Sequence, residues 1–137
     1  MAASEILTDI SPTRILVVDD SQAMRRGLRH LLERHPHWWV CGEASDGREA
    51  VQKAREIEPD VIVLDFQMPE MNGLDAAKSI RKRSPRVPIL MVSMHMSPQL
   101  AEEARKVGIR GVCAKSDVFC VVEAVETLLS NGTYFQA

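Results

Sequence analysis

The sequence predicts one α/β domain, a doubly wound parallel sheet of five strands with five helices over its two faces. Three observations carry this. Short apolar runs recur along the chain, with ILVV, VIVL, ILMV and GVCA the clearest, as expected of strands buried on both faces. Segments between them space their apolar residues as helices do. Four of the runs end on polar side chains, Asp19-Asp20, Asp65, Ser93 and Lys115, and in open α/β sheets chemistry gathers at the carboxyl ends of the strands.

Residues 14–19 form the first strand. A helix is expected from Ser21 to His35, with Met24, Leu28, Leu31 and Leu32 on one face and Pro36 closing it. Residues 38–44 make the second strand; its adjacent tryptophans, Trp38 and Trp39, should point to opposite faces. Asp46 and Glu49 have capping-box spacing for a helix with a buried stripe of Ala50, Val51, Ala54 and Ile57. Pro59 resets the chain for the third strand, 60–65. A loop over 66–72, containing Pro69 and ending in Asn72-Gly73, leads to a helix around Leu74, Ala77 and Ile80. The fourth strand is 87–92. The next helix carries Leu100, Ala101, Ala104 and Val107, with Gly108 as its stop. The fifth strand is 111–114, and Val118, Val121, Val122, Val125, Leu128 and Leu129 stripe the last helix. Residues 1–12 read as a flexible extension, 13–131 as the domain and 132–137 as a short tail. Such βα repetition implies right-handed crossovers.

Composition narrows the function. Hydrophobic residues make up 45% of the chain and charged residues 26%, as in soluble globular proteins. A net charge of −2 gives no reason to expect direct nucleic-acid binding. No apolar stretch suits a membrane span, and the opening MAASEILTDISPT lacks the features of a secretory signal. A cytoplasmic location is expected. The three cysteines, Cys41, Cys113 and Cys120, lack CxxC spacing and are expected to be reduced packing residues.

The polar strand ends suggest one site. Asp19, Asp20 and Asp65 would bring three negative charges together, and mutual repulsion would raise some of their pKa values unless a cation were present. Mg²⁺ suits such a site because it takes hard oxygen ligands and binds through a few carboxylates plus phosphate oxygens. Asp20 and Asp65 are assigned as direct ligands, Asp19 as a ligand through water, and the main-chain carbonyl of Gln67 as a further donor. Asp65, flanked by Leu64 and Phe66, is the expected nucleophile toward a phosphoryl donor. Lys115, the Ser93 hydroxyl and loop N–H groups would share the charge on the phosphoryl oxygens. The bland alternatives are an ion-pair role for Lys115 and a loop-satisfying role for Ser93.

Taken together, ILVVDD, VIVLDFQMPEMNG, ILMVS and AKS resemble the receiver domain of two-component response regulators, over roughly residues 14 to 130. The resemblance implies a flavodoxin-like sheet of order 2-1-3-4-5. It implies that Asp65 accepts phosphate from a partner histidine kinase, that Asp19 and Asp20 position Mg²⁺, and that Ser93 and Lys115 read the phosphorylated state. The chain would then be a phosphorylation-controlled signalling switch, catalysing only its own phosphorylation and dephosphorylation. SMHMS and the ending NGTYF resemble receivers preceding a LuxR-type helix-turn-helix. That implies transcriptional control through a DNA-binding output domain outside these residues, and a homodimer formed on phosphorylation.

Departures from the family pattern concern the relay. Val112 stands where members usually carry a mobile aromatic, and valine has one stiff torsion. Ser116 replaces the proline that often follows the lysine. Met94 follows the switch hydroxyl in place of a small residue and is expected, with Gln67 and His95, to hinder water and slow phosphoryl loss. The competing readings are a phosphate-independent receiver-like protein-binding module and a Mg²⁺-dependent phosphatase. The latter lacks an acid, because Gln67 stands two residues past Asp65. A nucleotide-binding Rossmann domain fails because Asp19-Asp20-Ser21-Gln22 replaces its glycine loop.

Overall fold

The computed structural model describes residues 11–135. Its strands are β1 (Thr13–Val18), β2 (Trp38–Ala44), β3 (Val61–Asp65), β4 (Ile89–Ser93) and β5 (Gly111–Ala114). Its helices are α1 (Gln22–Leu32), α2 (Gly47–Ile57), α3 (Gly73–Arg83), α4 (Pro98–Lys106) and α5 (Val118–Leu129). All strand pairs are parallel, in the order β2-β1-β3-β4-β5. The expected fold and strand order hold, with β3 at the centre.

Alternation along each strand builds two cores. Ile15 and Val17 of β1 face one side, where Leu28 and Leu32 of α1 and Val121, Val125 and Leu128 of α5 cover them. Leu16 and Val18 face the other, against Ala50 and Ala54 of α2, Ala77 and Ile80 of α3 and Leu100 of α4. Burying one such Val, Leu or Ile completely contributes about 1.5–3 kcal/mol relative to exposure. The doubly buried sheet therefore outweighs the weak intrinsic helix formation of the short flanking segments.

Side chains set the helix starts. Ser21, Asp46, Asn72, Ser97 and Asp117 are the N-caps, and each accepts a hydrogen bond from the backbone N–H three residues on. Asp46 Oδ1 accepts from Glu49 N–H at 2.8 Å, but Glu49 reaches back to Ser45 N–H at 2.7 Å, one residue beyond the reciprocal box partner. Gly108 follows α4 with φ +91, the left-handed geometry expected of its stop.

Three expectations need correction. The first helix ends at Leu32, capped by Glu33, so Pro36 does not close it. Past the helix, His35 stacks on Trp38 with ring centroids 3.8 Å apart, and Nε2 lies 3.4 Å from Glu126 Oε2 on α5. The residues after α5 do not simply trail away: Tyr134 forms a parallel bridge with Gly111. Its N–H donates to Arg110 O and its carbonyl accepts from Val112 N–H at 2.8 Å, satisfying main-chain groups on the edge of β5. Finally, Cys113 and Cys120 are not separate packing residues. The structure pairs them as a disulfide with Cα atoms 6.2 Å apart, because the turn after β5 brings the first turn of α5 back over the strand. Cys41 remains free. Residues 1–10 of the expected extension and 136–137 of the tail lie outside the described residues. Trp38 is buried and Trp39 half exposed, as alternation requires.

Candidate functional site

The site forms at the carboxyl edge of the sheet because β1, β3, β4 and β5 all run the same way and end there. Asp19 follows β1 directly, with its N–H on Ala44 O at 3.0 Å. Asp65 closes β3, in register with Val92, so Ser93 lies one residue further along β4. Ser93 pairs with Ala114, and Lys115 follows, its N–H donating to Ser93 O at 2.9 Å.

Asp19, Asp65 and Ser93 are the buried polar residues of the core, each at most 1% exposed. Lys115 joins two of them: its Nζ lies 2.8 Å from Asp19 Oδ2 and 3.1 Å from Asp65 Oδ1. The same Asp65 oxygen, Oδ1, also accepts from Gln67 N–H at 3.3 Å, and Asp19 Oδ1 accepts from Ser21 N–H at 2.9 Å. Asp20 stands exposed at the rim. Carboxylate oxygens of Asp19, Asp20 and Asp65 lie within 4.8 Å of one another, the one such acidic cluster among the described residues. Asp19 Oδ2 is buried and, apart from the Lys115 ion pair, has no aligned hydrogen bond among the described residues. An all-oxygen donor set with an under-satisfied buried carboxylate oxygen fits a hard divalent cation.

Electrostatics separates the members. Burial raises the Asp65 carboxyl above its ordinary range. The Lys115 ammonium opposes the rise and the Asp19 charge adds to it. The like-charge repulsion expected from the sequence is therefore present but secondary to desolvation. For Lys115 burial acts downward, yet its close contacts with the Asp19 and Asp65 carboxylates outweigh it and hold the ammonium above its ordinary value. Ser93 Oγ accepts from His95 N–H at 3.2 Å, which is the loop-satisfying role. Val112 is fully buried.

Two supports brace the site: the first has no local signal in the sequence, and the second belongs to the Asn72-Gly73 step already read there. Arg25 on α1 donates from Nη1 to Asp19 O at 2.7 Å while its Nε pairs with Glu43 Oε1 on β2 at 3.0 Å. Arg29 adds a second contact to Glu43 at 2.7 Å, and these guanidinium bonds hold the Glu43 carboxyl below its usual range. The trio braces the acidic loop, but its partners come from distant positions on different elements. The second is Gly73. A Cβ there would meet Asp65 O at 2.6 Å and Phe66 Cα at 2.8 Å, so only glycine lets α3 start against the end of β3. Its N–H donates to Phe66 O at 2.7 Å. The intervening loop carries Glu70 at φ 68.

Beside the site runs an open groove of about 500 Å³ between the β4–α4 and β5–α5 connections, lined by Met94, His95, Met96, Ser116, Asp117 and Cys120 among others. Met94 is 58% exposed and Phe119, at the start of α5, 76%.

Against known proteins, the family model for the response regulator receiver domain matches residues 15–125, and the chain belongs to this family. It is 32% identical over 122 residues to the transcriptional regulatory protein DegU of Brevibacillus brevis, a match covering 88% of this chain and 52% of that protein. The chain thus spans about half the length of that relative. It is 40% identical over 102 residues to the chemotaxis protein CheY of Thermotoga maritima, covering 74% of this chain and 84% of the relative. The crystal structure of a LuxR-family two-component response regulator from Aurantimonas sp. SI85-9A1 matches with TM-score 0.87 at 36% identity, covering 90% of this chain and 89% of the other. The fold and site therefore define a receiver module of two-component signalling. No helix among the described residues is long and apolar enough to cross a membrane.

Proposed function

We propose that the chain is a phosphorylation-controlled switch in which Asp65 is the phosphoacceptor. The observation that carries this reading is the Lys115 ammonium shared between the buried carboxylates of Asp19 and Asp65 at 2.8 and 3.1 Å. A buried carboxylate with a raised pKa is a stronger nucleophile once ionised, and an ionised one has no proton to lose. The free Asp65 oxygen attacks the phosphorus of a histidine kinase's phosphohistidine; the N–P bond breaks as the acyl-phosphate O–P bond forms. Lys115, already 3.1 Å from Asp65, is positioned to transfer its ammonium to a phosphoryl oxygen. Ser93 would exchange its bond from His95 N–H for one donated to the same group, moving the 93–97 loop.

Asp19, Asp20 and Asp65, with the Gln67 main-chain carbonyl, would hold Mg²⁺. When bound, the ion offsets the cluster's negative charge and polarises phosphoryl oxygens. The chain's catalysis extends only to its own phosphorylation and dephosphorylation. A DNA-binding output domain beyond this chain fits the transcriptional regulators among its relatives, with homodimerisation on phosphorylation as the route to it.

Intact-mass measurement after incubation with Mg²⁺ and acetyl phosphate tests the reading. One phosphoryl adduct on the wild type, absent from Asp65→Asn and after chelation, is the expected result. An adduct retained by Asp65→Asn would place the chemistry elsewhere.

A further inference from the structure

We propose that Cys113 and Cys120 form a reversible redox-modification site that takes low-molecular-weight disulfides and sets the freedom of the Lys115 turn. The pair spans seven residues, from the buried end of β5 to the first turn of α5, and Lys115 lies between its members. A Cα separation of 6.2 Å lies inside the range a disulfide bridges without backbone movement. The two cysteines differ in access. Cys113 is 1% exposed, whereas Cys120 is half-buried and lines the groove beside the site. Cys41, the third cysteine, is far from this turn on β2; its Sγ donates to Ile15 O at 3.4 Å, and burial raises its pKa, which keeps it an unreactive thiol.

The chemistry follows from that asymmetry. Cys120, as the thiolate, attacks one sulfur of a small disulfide such as oxidised glutathione, and the other sulfur leaves as a thiolate. Cys113 then gives up its proton and attacks Cys120 Sγ, expelling the second small thiolate. The protein loses two protons and two electrons, and the small disulfide gains both as two thiols. The first turn of a helix favours the attacking thiolate, an effect that the N-cap carboxylate of Asp117 partly offsets.

The consequence, which rests on the phosphoacceptor reading, concerns Lys115. Its ammonium must leave Asp65 Oδ1 to follow an incoming phosphoryl group, and the turn carrying it must follow. A covalent link across that turn restricts the movement, so the oxidised protein accepts phosphate more slowly than the reduced one.

The full chain is equilibrated with glutathione mixtures from fully reduced to fully oxidised, acid-quenched, alkylated and peptide-mapped. The expected product is an internal Cys113–Cys120 link with Cys41 alkylated, lost in Cys120→Ser and kept in Cys41→Ser. Alkylation of both Cys113 and Cys120 under full oxidation, or a product that stops as a glutathione adduct on Cys120, overturns the site. Phosphorylation by acetyl phosphate is then timed on oxidised and reduced protein. The expected result is at least a twofold slower reaction in the oxidised form, with no difference in Cys120→Ser. Equal rates overturn the coupling while leaving the mapped link standing. No adduct in either state, with the link present, counts against the coupling and the phosphoacceptor reading together, not against the redox site.

Discussion

Replacing Gly73 with alanine should weaken the fold and the site together. The added Cβ would lie 2.6 Å from Asp65 O and 2.8 Å from Phe66 Cα, both main-chain atoms of the central strand and its exit. Main chain at that position cannot rotate away as a flexible side chain would, so the penalty belongs at the upper end of overpacking costs, about 3 kcal/mol. Alanine recovers up to about 1 kcal/mol of helix propensity. The net loss is therefore about 2 kcal/mol. An unfolding entropy of about 2.1 cal/mol/K per residue gives roughly 290 cal/mol/K for 137 residues. The expected fall in Tm is then about 7 °C, read by calorimetry or circular dichroism. Withdrawal of α3 also shifts Asp65 through the Gly73 N–H bond to Phe66 O, so phosphorylation by acetyl phosphate should slow. A Tm within about 2 °C of wild type would mean that the contact at the end of β3 is not the constraint described.

Four further outcomes follow from the same geometry. Asp65 has a raised folded-state pKa, so the native state binds more protons than the unfolded chain just above the ordinary carboxyl value of 3.8. Its contribution to stability is greatest below that value and falls as pH rises through the folded-state pKa; Asp65→Asn should flatten this part of a pH series of urea melts, and a variant with unchanged slope would refute the assignment. Lys115 carries the opposite limit. Its stabilisation is complete below 10.5 and is lost as pH rises through the raised pKa, so Lys115→Met should remove a loss of stability in strongly alkaline solution. Mg²⁺ should raise Tm in the wild type by single-site linkage, with a much smaller rise in Asp20→Asn; equal rises in both would exclude the acidic cluster as the binding site. Met94→Ala, at an exposed position on the groove rim, should leave Tm within about 2 °C and speed loss of the phosphoryl group, and an unchanged dephosphorylation rate would remove the proposed shielding.

Local chemistry made the elements readable. Runs such as VIVL can be buried only with both faces covered, and a serine, aspartate or asparagine ahead of each helix names its start. Where a parallel strand ends is where its polar follower must lie, so Asp19, Asp65, Ser93 and Lys115 could be grouped without coordinates. The end of α1 was less legible, because Glu33 caps the helix with no proline or glycine to mark it.

Distances between distant segments set the remainder. That Lys115 reaches both Asp19 and Asp65, and that burial rather than repulsion dominates at Asp65, depends on how far each strand end lies from solvent. The pairing of Cys113 with Cys120 depends on the path of one turn, and the Arg25–Glu43 brace on the packing of α1 over β2. The sequence by itself determined the strands, the helices and which chemical groups would meet, because periodicity and capping act over a few residues. Tertiary structure alone decided which atoms touch and how strongly water is excluded, because those depend on contacts between chain segments far apart in order.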